Sequence, residues 1–117
     1  MVGVQIFGTK KSAAVRAAQR FFKERGIPIH FVDLKQKPMA PGEIGRFIAR
    51  FGLTRLLDSE GTPFVDAGLR YLKLTDSELL SRIADEPGLL RLPLVRAGDK
   101  LSIGQDEASW KAMVVSR

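Results

Sequence analysis

The sequence predicts an α/β protein: a mixed four-stranded sheet flanked by helices, with a helical insertion. Three observations predict it. A strand–helix–strand pattern opens the chain, helical periodicities fill its middle, and two apolar runs around Gly98-Asp99 precede a last helix. At 117 residues the chain can bury a core without disulfides or metals. Residues 1–117 are expected to form one domain, with 36–88 as the insertion.

Each element has its local signal. Residues 3–7 form a short apolar run of the kind a buried strand uses. From Ser12 to about Arg25, Ala14, Ala18, Phe21 and Phe22 gather on one helical face, and Gly26 can end that helix. Residues 27–33 alternate as a second strand, whose natural partner is the first, in parallel. Pro41 suits the first turn of a helix bearing Ile44, Phe47, Ile48 and Phe51, closed by Gly52. Leu53 to Leu57 reads as a short turn, and Gly61 to Gly68 as a loop. Thr75 and Glu78 have capping-box spacing ahead of Leu79, Leu80 and Ile83. The runs 89–95 and 101–103 flank Gly98-Asp99 as an antiparallel hairpin. Asp106 can cap a last helix carrying Ala108, Trp110, Met113 and Val114.

Composition excludes several chemistries. The 44% hydrophobic and 27% charged content is that of an ordinary globular protein. No apolar run approaches a membrane span, and no secretory leader is evident, so a cytoplasmic setting is expected. The chain has no cysteine, which removes disulfides, zinc–thiolate sites and thiol catalysis. Net charge is +6, and it concentrates early. Before residue 26, Lys10, Lys11, Arg16, Arg20, Lys23 and Arg25 face only Glu24. That basic start suits an anion or an acidic partner. No aromatic RNA-binding motif, zinc knuckle or DNA-reading helix pair accompanies it, so no specific nucleic acid is expected. His30 sits alone in a strand, and the carboxylates Asp58, Glu60 and Asp66 have no convergent partners.

Several motifs together resemble one family. They are Phe7-Gly8-Thr9-Lys10-Lys11-Ser12 running into Arg16–Phe22, then Gly26-Ile27-Pro28 and Val32-Asp33-Leu34. Glu86–Leu94 and Gly104 follow in the right order. The chain resembles the arsenate reductase/Spx (ArsC) family of thioredoxin-fold proteins, in its glutaredoxin-like branch. The resemblance implies a thioredoxin-like sheet, a nucleophile at position 12, and a cis-proline at Pro93 that shapes the groove. It also implies that Thr9, Lys10 and Lys11, with Arg91, hold a substrate oxyanion or a glutathionyl carboxylate.

The departures matter equally. Ser12 stands where the family has its catalytic cysteine, and Val15 where the Spx branch has a second one. Asp58, Leu92 and Ile103 occupy the places of the oxyanion-binding arginines, and Arg91 lies one residue before the usual one. A serine hydroxyl cannot pass through a disulfide cycle, and a serine nucleophile needs an adjacent base that His30 does not provide. As a helix N-cap, by contrast, serine is worth roughly 1 kcal/mol. Lys10 and Lys11 flank a helix start, a ready anion site.

Two functions follow as expectations. The first is an arsenate-reductase-like, glutathione- or glutaredoxin-linked thiol oxidoreductase, inactive as written because of Ser12. No bound cofactor is expected, and glutathione would be a co-substrate. The second is an Spx-like, non-catalytic protein contacting the C-terminal domain of the RNA polymerase α subunit.

Overall fold

The computed structural model describes residues 3–115. Strands β1 (Val4–Gly8), β2 (Ile29–Asp33), β3 (Leu94–Ala97) and β4 (Lys100–Ile103) form one sheet in the order β2-β1-β3-β4. β1 pairs parallel with β2 and antiparallel with β3, and β3 pairs antiparallel with β4. This is the mixed, thioredoxin-like sheet that the sequence predicts. Helix α1 (Ala13–Glu24) joins β1 to β2, and α6 (Glu107–Val115) follows β4. Between β2 and β3 lie α2 (Pro41–Phe51), α3 (Leu53–Leu56), α4 (Thr62–Asp66) and α5 (Asp76–Asp85).

Strand alternation divides the core between the two faces of the sheet. Val4, Ile6 and Val95 face α1 and α6, where Ala18, Phe21, Phe22, Trp110 and Met113 close one cluster. Phe7 and Leu94 face the intervening helices and pack with Ile44, Phe47, Leu56 and Ile83. Trp110 is the pivot of the first cluster, 5.5 Å from the Phe21 ring and 6.1 Å from Phe22. Tilted aromatic pairs of this kind add about 0.5–1.5 kcal/mol beyond their buried area.

Local signals largely set the boundaries. Ser12 caps α1, Thr75 and Glu78 form a reciprocal capping box on α5, and Asp106 Oδ1 accepts from the Ser109 N–H at 3.1 Å. Gly52, at φ +84, closes α2 in a conformation that only glycine adopts freely. Three expectations need correction. Gly61 to Gly68 is not a loop throughout: Pro63 presets the first turn of the short α4. The apolar run 89–95 is not one strand, because a 3-10 turn (Pro87–Leu89), the lone Leu57–Leu90 bridge and Pro93 precede β3. On α1, Val15 is buried beside Ala18, Phe21 and Phe22 in place of Ala14, which is only half-buried.

Candidate functional site

The sheet brings the singled-out residues to one end. β1 runs into the loop of Thr9, Lys10, Lys11 and Ser12, and then into α1. Because Phe7 pairs with Leu94, the next residues out are Gly8 on β1 and Pro93 before β3. The Leu92–Pro93 peptide is cis, as the resemblance implies, and Pro93 is fully buried. At the end of β4, the Gly104 N–H lies 3.0 Å from both the Arg91 and the Pro93 carbonyls. Loop, proline and Gly104 therefore share one edge.

The loop approaches its helix closely at Gly8. A Cβ there would overlap the Val15 side chain, so glycine at 8 and the buried Val15 fit as a pair. The loop itself is a four-residue turn in which the Ser12 N–H donates to the Thr9 carbonyl at 3.2 Å. Ser12 Oγ accepts from the Val15 N–H at 3.3 Å, and the Ser12 carbonyl accepts from the Arg16 N–H at 3.1 Å. Ser12 thus makes the full set of N-cap contacts. The N–H groups of Ala13 and Ala14 open the helix with no carbonyl behind them.

The loop and the first turn of α1 carry only basic charged residues, while Asp33 pairs with Gly8 on the neighbouring strand. Lys10 and Lys11 are exposed, and the first turn of α1 carries no acidic residue. Arg16 Nη1 donates to the Lys10 carbonyl at 2.8 Å, which brings a third cation against the loop. The sequence shows Arg16 only as one of several basic residues. Its position one helical turn after the cap is the signal that could have marked it. Thr9, in contrast, is buried, with 6% of its surface exposed.

Arg91 is placed differently from the other candidates. Its Nη2 donates to the Leu57 carbonyl at 3.1 Å, and its backbone N–H to the Leu56 carbonyl at 2.7 Å. It ties the sheet to the helical layer, and no hydrogen bond joins it to the loop among the described residues. Asp58, Leu92 and Ile103 supply no cation. Leu92 and Ile103 pack half-buried against the core, and the Asp58 N–H donates to the Leu89 carbonyl at 2.9 Å. His30 is exposed on β2, and no cluster of potential metal ligands occurs among the described residues.

A groove of about 490 Å³ lies elsewhere, on the helical layer. Leu34, Met39, Ile44, Leu80 and Ile83 line it, and it includes none of the loop residues. It offers apolar contact and no titratable group, so the chemistry is argued at the loop.

The family model of the ArsC family matches residues 7–113. An arsenate reductase of Neisseria meningitidis serogroup A is 29% identical over 117 residues, covering 97% of this chain and 100% of that relative. An arsenate reductase of Rhizobium meliloti is 29% identical over 96 residues, covering 80% of this chain and 69% of that relative. Among solved structures, the YFFB protein matches with a TM-score of 0.82 at 18% identity, over 94% of this chain and 97% of that one. The arsenate reductase from Vibrio cholerae matches with a TM-score of 0.78 at 18% identity, again over 94% and 97%. At these identities the two structures speak to the fold.

Proposed function

Because this chain belongs to the ArsC family, we propose that it is an arsenate-reductase-like protein that keeps the anion loop of a glutathione- or glutaredoxin-linked enzyme without its thiol cycle. The observation that carries this reading is the Ser12 cap. Its Oγ accepts the Val15 N–H at 3.3 Å, at the start of a helix flanked by Lys10 and Lys11. A thiolate at that point would gain from the helix end and the cations. A hydroxyl there is a helix cap and a neutral hydrogen-bonding group. The chain contains no cysteine to take over the redox step.

In this reading Thr9, Lys10, Lys11 and the opening N–H groups of α1 receive an oxyanion or a glutathione carboxylate. Pro93 shapes the adjacent edge. Arg91 would serve the anion with the guanidinium nitrogens not given to Leu57. Glutathione chemistry places such a protein in the cytoplasm, where thiols stay reduced.

Glutathione-coupled reduction of arsenate and of a mixed disulfide tests the proposal. The wild-type chain should show no turnover, and Ser12→Cys should show it. Turnover by the wild type, or none by a folded Ser12→Cys variant, would defeat the reading.

One observation favours a second reading, that of a non-catalytic binding protein. Arg20 and Lys23 are exposed on α1 and have no carboxylate partner among the described residues. Such a ridge would suit an acidic surface, with the RNA polymerase α C-terminal domain as the Spx-like candidate. Salt-sensitive capture of that purified domain, lost in Arg20→Glu, would support it. Absence of capture at low salt would dismiss it.

A further inference from the structure

Among the described residues, Arg16 is the one side chain from outside the loop that hydrogen-bonds to the loop's backbone. Its Nη1 donates to the Lys10 carbonyl at 2.8 Å across six residues. That carbonyl belongs to the central peptide of the Thr9–Ser12 turn, the peptide whose orientation separates the common turn types. Turning it over would require a positive φ at Lys11. No non-glycine residue among those described has one. The peptide therefore has one orientation here, and the guanidinium holds its oxygen.

A trans peptide points its C=O and N–H in opposite directions. With the Lys10 oxygen drawn toward Arg16, the Lys11 N–H points away from the guanidinium. Arg16 can reach back in this way because it lies one turn into α1 and is exposed there. Its own N–H is spent on the Ser12 carbonyl at 3.1 Å, so one residue fixes both the cap and the turn before it.

We propose that Arg16 is a positioning residue of the anion loop: it sets the Lys10–Lys11 peptide so that the Lys11 N–H joins those of Ala13 and Ala14 as donors to a tetrahedral oxyanion. This rests on the reading of the loop as an anion site. Arg16 acts through the backbone, and a plain contribution to net charge would not account for it. Arg20 supplies the comparison: it lies on the same helix, exposed and of the same charge, and among the described residues no hydrogen bond joins it to the loop.

The test is titration of the ¹⁵N-labelled protein with inorganic phosphate, following the amides of Lys11, Ala13 and Ala14 in wild type, Arg16→Ala and Arg20→Ala. The proposal expects Arg16→Ala to weaken phosphate binding by about tenfold, the loss of one charge-assisted geometry. Arg20→Ala should weaken it by about twofold or less, as a screened surface charge. In the phosphate-free protein, Arg16→Ala should also shift the Lys11 amide resonance and its φ-dependent coupling, and Arg20→Ala should leave both in place. Equal weakening by the two variants would overturn the proposal, because charge alone would then explain it. An unchanged Lys11 amide in folded Arg16→Ala would overturn it as well, whatever phosphate does. If the wild type binds no phosphate at any of these amides, the anion-site reading fails, and the Lys11 comparison still decides the role of Arg16.

Discussion

Arg91, three residues before β3, reaches to the Leu57 carbonyl, 34 residues earlier, with Nη2 3.1 Å from the oxygen. The side chain lies over Gly104, where a Cβ would come within 3.2 Å of Arg91 Cγ. Gly104 has φ +69 and donates to the carbonyls on both sides of Leu92, so sheet end, proline segment and helical layer meet there. Removing the guanidinium should loosen the helical layer. Arg91→Ala should cost about 1 kcal/mol in urea unfolding, as one partly exposed hydrogen bond. Gly104→Ala should cost at least that, about 1–2 kcal/mol, from the left-handed backbone alone. An Arg91→Ala variant with wild-type stability would show that the backbone bonds at 56–58 suffice.

Gly8 and Val15 make a second prediction. A methyl group at position 8 would overlap the Val15 side chain. Gly8→Ala should destabilise by about 1–3 kcal/mol through overpacking. In Gly8→Ala/Val15→Ala the clash disappears, so the double variant should be more stable than the sum of the two single losses predicts. Strict additivity in thermal unfolding would contradict the close approach.

Ser102 offers the opposite case. It is 1% exposed on β4, on the Trp110 side of the sheet, and its Oγ has no hydrogen-bond partner among the described residues. A buried hydroxyl without a partner costs about 1–3 kcal/mol of desolvation. Ser102→Ala should therefore keep or raise stability, by about 1 kcal/mol. A clear loss would mean that the hydroxyl is satisfied, as by a bound water.

How much of this was legible in the sequence follows from how local each interaction is. The caps at Ser12, Thr75 and Asp106, and the closing glycine at 52, are written within four residues of the helices they bound. Spacing alone reveals them. The order of elements and the family motifs placed the loop beside Pro93. The short α4 was hidden because none of its residues is buried, so it carries no periodic apolar face. Val15 was legible as a core residue, since it stands three residues before Ala18 and seven before Phe22, the helical period its burial follows; only its fit against Gly8 needs the fold. The Arg16–Lys10 and Arg91–Leu57 bonds span 6 and 34 residues and follow no sequence period, so only the fold shows them.

The capping box gives a prediction in pH. The Thr75 N–H donates to Glu78 Oε1 at 2.9 Å, and the Glu78 N–H to Thr75 Oγ1 at 3.1 Å. The backbone N–H of Thr75, and after it the Thr75 side chain, hold the Glu78 carboxyl below its ordinary value of 4.5. A carboxyl with a lowered value in the folded state binds its proton more readily when unfolded. Its contribution is therefore present above pH 4.5 and fades as pH falls through the lower folded-state value. The urea midpoint of Glu78→Gln should fall less steeply than that of the wild type below pH 4.5. Parallel curves would show that the box does not respond to charge.

The central claim is that the start of α1 remains built for an anion although Ser12 cannot perform thiol chemistry. The thiol pKa of Ser12→Cys, measured by pH-dependent alkylation, tests it most directly. The Val15 N–H at 3.3 Å from the present Oγ, the helix end and the cations of the loop should all favour the thiolate. A value well below the ordinary cysteine value of about 8.5 is the predicted result. A value at or above about 8.5 in a folded variant would contradict the account.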